Sequence, residues 1–281
     1  MSDTSLPTLT LETPDDAPEV PKAEAVPQGS LTGPFTLTLD IGGSGLKAGL
    51  LDVSGALISK RVRIDTPHPS PPGVVVPALL ELAAQVGPFD RVSVGFPGVV
   101  RNGRVMTAPN LGTEAWAGFE LAEILSIKLG KPVRMENDAT VQGLGVIGGH
   151  GLECVMTLGT GIGFALYKDG HLAPHLELSQ HIIRGDKTYD EYLGVVELKR
   201  IGKRRWKKRV QKMLVQVRTL VNFDTLYIGG GDARLLDFEL PSDVHIVSND
   251  AGITGGVRLW DSRLDFDFKT IPGPHVISVE I

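Results

Sequence analysis

From Phe35 to Asp40 apolar and polar residues alternate as FTLTLD, a period of two that predicts a strand with one buried face. A second apolar stretch runs from Leu46 to Val53, and only IGGSG separates the two. Glycines in so short a connection predict a hairpin, not a strand feeding a helix. The design returns downstream in VMTLGTGIGFALYKDGHL, Val155 to Leu172. There a strand ends at Thr157, glycines 159, 161 and 163 turn the chain, and Phe164 to Tyr167 begins the way back. With Thr157 set on Asp40, Gly159 falls on Gly42, Ala165 on Ala48 and Asp169 on Asp52, an offset of 117 residues. That is the size of a small domain, so the spacing predicts two similar lobes facing each other across a cleft.

Between the hairpins the pattern predicts a helix over 74–86, a strand over 91–95, a helix over 119–129, a strand over 133–136 and a helix from about Ala139. A long helix is expected over 203–221, then a strand over 225–228 that runs into Gly229, Gly230 and Gly231. Strands and helices interleave throughout, which makes the class α/β. The expected divisions are a tail over 1–30, lobes over 31–139 and 140–262, and a C-terminal tail over 263–281.

Composition narrows the picture. With 281 residues, 42% apolar and 22% charged, the chain suits a globular protein with two modest cores. No apolar run nears the roughly 18 residues of a membrane span. The N-terminus lacks the basic and apolar regions of a signal peptide. Cys154 is the single cysteine, which excludes an internal disulfide and a thiolate zinc cluster. A cytoplasmic protein with no membrane partner is expected. The net charge of −5 resides in the first thirty residues, where six acidic side chains oppose Lys22 among five prolines. Such a composition predicts a disordered acidic tail, and the remaining chain is neutral with 27 basic and 27 acidic side chains.

The glycine stretches carry the first candidate chemistry. Bare backbone lets N–H groups close on an anion, and an aspartate beside such a nest needs a divalent cation or its waters between itself and a phosphate. Neither glycine stretch opens a helix, as a Walker A loop or a dinucleotide fingerprint would. Either one alone reads equally as a tight turn, whereas two facing loops suit a phosphate clamp. MENDATVQG sets Asn137 and Asp138 between a strand and a helix, where they serve as an N-cap or as a carboxylate that accepts a hydroxyl proton during phosphoryl transfer. Lys199 to Arg218 holds ten basic residues and no acidic one, with Lys207, Lys208 and Arg209 in a run. Trp206, Val210, Met213, Leu214, Val217 and Val221 share one helical face, so the element is amphipathic. Its charged face is a solvated surface or a track for a polyanion. No aromatic platform or reading motif accompanies it, and nucleic acid is not an expected partner.

Taken in order, DIGGSGLK, GFPGVVRNGRV, APNL, NDA, TLGTGIGFALYKDG, LELS and YIGGG resemble the ROK family of sugar kinases and repressors, above all its polyphosphate glucokinase branch, from about Leu37 to Trp260. The resemblance implies the actin-like, ribonuclease-H-like two-lobed sugar kinase fold with duplicated domains. It implies that Asp40, Gly42, Gly43, Ser44 and Lys47 bind the phosphoryl donor from one side. Thr157, Gly159, Thr160 and Gly161 would bind it from the other, with Gly229, Gly230 and Gly231 beside them. Asp138 matches the base that takes the proton of the sugar 6-hydroxyl. Gly98, Asn110, Asn137, Asp138 and Glu177 match sugar ligands.

Two departures stand out. The family's E-L-G-H reads Glu177-Leu178-Ser179-Gln180, which puts Gln180 in the place of the histidine. The next sugar-binding glutamate falls on Tyr189 in ungapped comparison, beside Asp190 and Glu191, and Glu191 is taken as its counterpart. The implied activity is a glucokinase that moves a phosphoryl group from inorganic polyphosphate, or ATP, to the 6-hydroxyl of glucose. Mg²⁺ would act indirectly near Asp40, and a homodimer is the family expectation. A ROK kinase that phosphorylates another hexose with ATP, and a non-catalytic sugar-binding regulator, are the competing readings. An acidic tail of thirty residues is too short for the helix-turn-helix domain of the family's repressors.

Overall fold

In the computed structural model, which describes residues 33–248, 251–265 and 267–274, both glycine-turned stretches are β-hairpins. The expected N-terminal tail lies outside the described residues. β1 (Thr36–Ile41) pairs antiparallel with β2 (Leu46–Leu51), which pairs with β3 (Val62–Ile64). After α1 (Pro72–Ala83) comes β4 (Arg91–Phe96), then a ribbon of β5 (Val100–Arg101) and β6 (Arg104–Val105). The helices α2 (Thr113–Trp116) and α3 (Leu121–Leu129) precede β7 (Val133–Asn137). The sheet order is β3-β2-β1-β4-β7, with β4 parallel to both β1 and β7.

The helix α4 (Asp138–Leu144) leads into the second lobe. Its strands are β8 (Leu152–Leu158), β9 (Ile162–Lys168) and β10 (His171–Leu172), followed by a small ribbon of β11 (Ile182–Arg184) and β12 (Lys187–Thr188). Then come α5 (Tyr189–Leu193), α6 (Val195–Ile201), α7 (Lys203–Val221), β13 (Thr225–Gly229) and β14 (Val244–Ile246). The order β10-β9-β8-β13-β14 repeats the first sheet strand for strand: an antiparallel hairpin, then two strands parallel to its first member. The duplication expected from two glycine loops is thus a duplication of the whole sheet.

The registers correct one detail. Asp40 pairs with Lys47, and Thr157 pairs with Gly163. The outgoing strands therefore correspond at an offset of 117, but Lys47 corresponds to Gly163, an offset of 116. The second turn is one residue shorter, so the residue that corresponds to Ala48 is Phe164, not Ala165.

Each lobe has its own core. Leu37, Leu39, Val92, Val94 and Trp116 are fully buried in the first, and Met156, Trp206, Met213 and Leu226 in the second. The first helix starts at Pro72 instead of Val74, because proline fits an N-terminal turn whose N–H groups have no helical acceptor. The long helix α7 occupies the expected span and buries Trp206, Val210, Met213, Leu214 and Val217 on its apolar face.

A third cluster lies between the sheets. There Ala139, Val141 and Leu144 of α4 pack against Val155, Ala165 and Tyr167 of β8 and β9. The last helix, α8 (Ala251–Arg258), packs on α4 and also on β1 and β4 of the first sheet. The chain beyond it touches both lobes: Leu172 N–H of the second donates to Asp267 at 3.4 Å, and the first supplies further partners. Trp260 donates to Ser93 at 2.8 Å, Arg134 donates to Thr270 at 2.6 Å, and Ile271 bridges Val133. The expected boundary at 262 falls within a segment that holds to both lobes: Ile271 bridges the edge strand β7, while Leu259, Leu264 and Phe268 join the cluster of α4, β8 and β9. Residues 275–281 of the expected C-terminal tail lie outside the described residues.

Candidate active site

The two hairpin turns and the N-terminus of α4 open onto one cavity of about 500 Å³. The first turn is closed by Gly42 N–H donating to Gly45 O at 3.0 Å, and Thr66 donates to Gly42 O at 2.6 Å. Asp40 sits at the mouth of that turn, with Lys47 Nζ 2.7 Å from its Oδ2 across the β1–β2 pair. In the second turn Gly159 N–H donates to Gly161 O at 3.1 Å, and Gly163 N–H donates to Thr157 Oγ1 at 3.0 Å. Behind it, Gly230 has a φ of +87°, and a Cβ there would overlap the Leu158 backbone. Glycine alone lets the turn after β13 lie this close.

Asn137 caps α4. Its Oδ1 accepts from Ala139 N and Thr140 N, while its Nδ2 donates to Gly98 O at 3.1 Å and holds the 97–98 turn. The next residue, Asp138, points a carboxylate at the cavity. Burial, aided by the negative charge of Asp40, pushes its pKa up to about 7. Glu177 behaves in the opposite way. Burial would raise it, but donors from His175 and Ser179 prevail and hold it below the usual carboxylate range. Asp190 accepts from Ile162 N–H at 2.6 Å and from Gln180 Nε2 at 3.1 Å, and burial pushes it up to about 6.

Of the residues expected from sequence, Asp40, Gly42, Gly43, Ser44, Lys47, Gly98, Asn110, Asn137 and Asp138 line the cavity. So do Thr157, Gly159, Thr160, Gly161, Glu177, Gly230 and Gly231. Three expected residues do not. Glu191 completes a capping box at the start of α5, accepting from Thr188 N–H at 3.0 Å, and the carboxylate that reaches the cavity is Asp190. Gln180 spends its amide on Asp190 and Ser179. Gly229 is the last residue of β13 and lies against Gln142.

Other cavity residues were not among those expected. Arg63, whose Nη2 donates to Ser44 O at 3.1 Å, arrives from β3, and His175 from outside any motif. Gln142, Ser179 and Lys199 stand within MENDATVQG, LELS and the basic run, and Asp232 follows the triple glycine.

The basic helix divides into two sets. Lys207 pairs with Asp237 at 2.5 Å, Arg209 with Glu197 at 2.7 Å, and Arg218 with Asp243 at 2.6 Å. Lys203, Arg204, Arg205, Lys208 and Lys212 are exposed. Lys199, near the end of α6, lines the cavity. No helix among the described residues is long and apolar enough to cross a membrane, and none of their His, Cys, Asp and Glu side chains form a cluster of three placed to hold a metal.

Two sheets of one topology, each with a glycine-turned hairpin facing a shared cleft, define a sugar kinase of the actin-like fold. Residues 36–174 match the model of the ROK family, and the chain belongs to that family. It is 32% identical over 244 residues to the polyphosphate glucokinase of Mycobacterium tuberculosis (strain CDC 1551 / Oshkosh), spanning 81% of this chain and 91% of that protein. The polyphosphate glucokinase of Mycobacterium leprae (strain TN) is 33% identical over 233 residues, 77% of this chain and 72% of the relative. Among solved structures, the inorganic polyphosphate/ATP-glucomannokinase of Arthrobacter sp. strain KM superposes with a TM-score of 0.74 at 29% identity, covering 80% of this chain and 98% of that one.

Proposed function

We propose that this chain is a polyphosphate glucokinase that moves the terminal phosphoryl group of inorganic polyphosphate to the 6-hydroxyl of glucose and accepts ATP as a second donor. The observation that carries the reading is the placement of Asp138, a carboxylate at the cleft end of α4 between two glycine turns of matched topology. Phosphoryl transfer needs positioning, charge neutralisation and one oriented proton acceptor, and this cavity offers each.

In the proposed reaction the sugar lies against Gly98, Asn110, Asn137, Glu177 and Asp190, with O6 toward Asp138. Asp138 takes the O6 proton as O6 bonds to the terminal phosphorus. The bond from that phosphorus to the bridging oxygen breaks, leaving glucose 6-phosphate and a polyphosphate shorter by one unit. A pKa near 7 suits the task, since a base works best when its pKa lies near the operating pH. The N–H groups of Gly42 and Gly159 close the turns, so the transferring phosphate is held by those that follow, at Gly43, Ser44, Thr160 and Gly161.

A magnesium ion would arrive on the donor phosphates, and Asp40, which is paired with Lys47, would face it through water. When bound, the ion would neutralise charge on the donor phosphates. The exposed cations of α7 and Lys199 favour a long polyanion, since a charged track raises its local concentration at the mouth of the cleft. We further propose a cytoplasmic homodimer. A sugar-by-donor activity matrix tests the reading: glucose with long-chain polyphosphate is the expected best pair, and turnover with ATP alone would replace polyphosphate as donor.

A further inference from the structure

Gln142 stands apart from every other polar side chain described. It is buried to 8% exposure, yet its Nε2 has no hydrogen-bond partner. Among the described residues it is the one buried side-chain nitrogen or oxygen of which this is true. An unpaired amide of this kind costs stability, so a site that keeps one calls for a reason.

Position supplies the reason. Gln142 lies on α4 four residues after Asp138, and residues four apart share a helical face. Both line the same cavity. Gln142 lies against Gly229, the last residue of β13, which pairs with Thr157 where the second glycine turn begins. A Cβ on Gly229 would overlap Gln142 Nε2 and stand 3.0 Å from its Cδ. The glycine at 229, which does not itself line the cavity, is thus what makes room for the glutamine.

We propose that Gln142 is a donor-binding residue: its amide N–H hydrogen-bonds a phosphate oxygen of the phosphoryl donor, one turn of α4 away from the base. The assignment rests on the kinase reading above and adds a residue to it. The side-chain torsions of glutamine let Nε2 swing from Gly229 toward the cavity, so the group that lacks a partner gains one when a phosphate arrives. A neutral donor there contributes without adding to the positive charge of Lys47 and Lys199, and hydrogen bonds to charged groups are the stronger kind.

Two variants test this. Gln142→Met keeps length and volume but removes the amide. Gly229→Ala leaves the amide in place and displaces it. In both, the KM for polyphosphate and for ATP should rise about tenfold, the loss of one hydrogen bond to a charged group, with the KM for glucose unchanged. Apo Gln142→Met should melt no lower than wild type, since it loses an unpaired group. Unchanged donor KM values, or a glucose KM that rises in step, would overturn the assignment.

Calorimetric binding of tripolyphosphate with magnesium separates the two claims. Weaker binding by Gln142→Met in a protein that transferred no phosphate would sink the kinase reading and keep the assignment. Equal Kd in wild type and variant would overturn the assignment whatever the turnover.

Discussion

Gly43 and Thr160 meet across the cleft: a Cβ built on Gly43 would stand 3.3 Å from Thr160 Cγ2 and 3.1 Å from Asn110 Cβ. One residue belongs to the first hairpin turn and the other to the second, so the two turns close on each other at the place where the donor must lie. Gly43→Val should wedge this gap. The expected outcome is a fall in kcat/KM for either donor of about a hundredfold, the usual cost of a 1 Å misplacement at the reacting atoms, with the melting temperature near that of wild type. Steady-state kinetics beside a thermal melt check it.

Asp138 sets the pH dependence. The base must be ionised to accept a proton, so kcat/KM should rise with pH through about 7 and level off above it. Asp138→Asn should remove that limb and lower kcat by about 10² to 10⁴, while glucose still binds by calorimetry. A limb that survives in the variant would assign the titration to another group.

The polyanion track is tested on the exposed cations. Lys203→Glu combined with Lys208→Glu should raise the KM for long-chain polyphosphate about tenfold and the KM for ATP much less. Added salt should raise the wild-type polyphosphate KM as it screens the track. Lys207 and Arg209 are poor probes despite standing in the densest basic run, because they hold Asp237 and Glu197. Replacing them would mix a loss of stability with any loss of donor binding.

Asp190 and Glu191 are neighbours with different duties. Asp190→Asn should raise the glucose KM about tenfold, the effect of weakening one charge-assisted hydrogen bond to the sugar. Glu191→Ala should leave the glucose KM alone and cost roughly 0.5–1 kcal/mol of stability through its capping box. Glucose titration and denaturant melts of the two variants read these outcomes.

Stability should fall as pH rises from 5 to 8. Burial raises Glu136 to about 8, Asp138 to about 7 and Asp190 to about 6. An acid raised in the folded state favours folding below its ordinary pKa and loses that contribution as pH climbs through the folded value. Glu197 and Asp261, held near about 2 by arginine partners, act in the other direction, but only below about pH 4. Glu136→Gln should therefore raise the melting temperature at pH 8 and change it little at pH 4, as melts across pH would show.

Much of this was legible in the sequence where local chemistry decides structure. The glycine turns, the N-cap at Asn137 and the one-sided apolar face of α7 each follow from a few adjacent residues, and each appears at its expected place. The duplication was legible from spacing alone, though the shorter second turn shifted the return strand by one residue. Long-range packing was not. Nothing near 251–274 signals that this segment returns to the first sheet, since its partners, Ser93, Arg134 and Val133, lie more than a hundred residues earlier. Sequence does not separate Asp190 from Glu191, since both are acidic and adjacent and only the helix start decides which faces in. Gln142 was invisible for the same reason: an unpaired amide is a property of its surroundings.

The central claim is that glucose and polyphosphate react in this cleft with Asp138 as base. Glucose 6-phosphate formed from long-chain polyphosphate, glucose and magnesium, followed in a coupled assay with wild type and Asp138→Asn side by side, tests it most directly. The account predicts rapid product formation by the wild type and a loss of at least about a hundredfold in the variant, with glucose binding retained. Wild type that forms no glucose 6-phosphate from polyphosphate, or a variant that forms it at the wild-type rate, would contradict it.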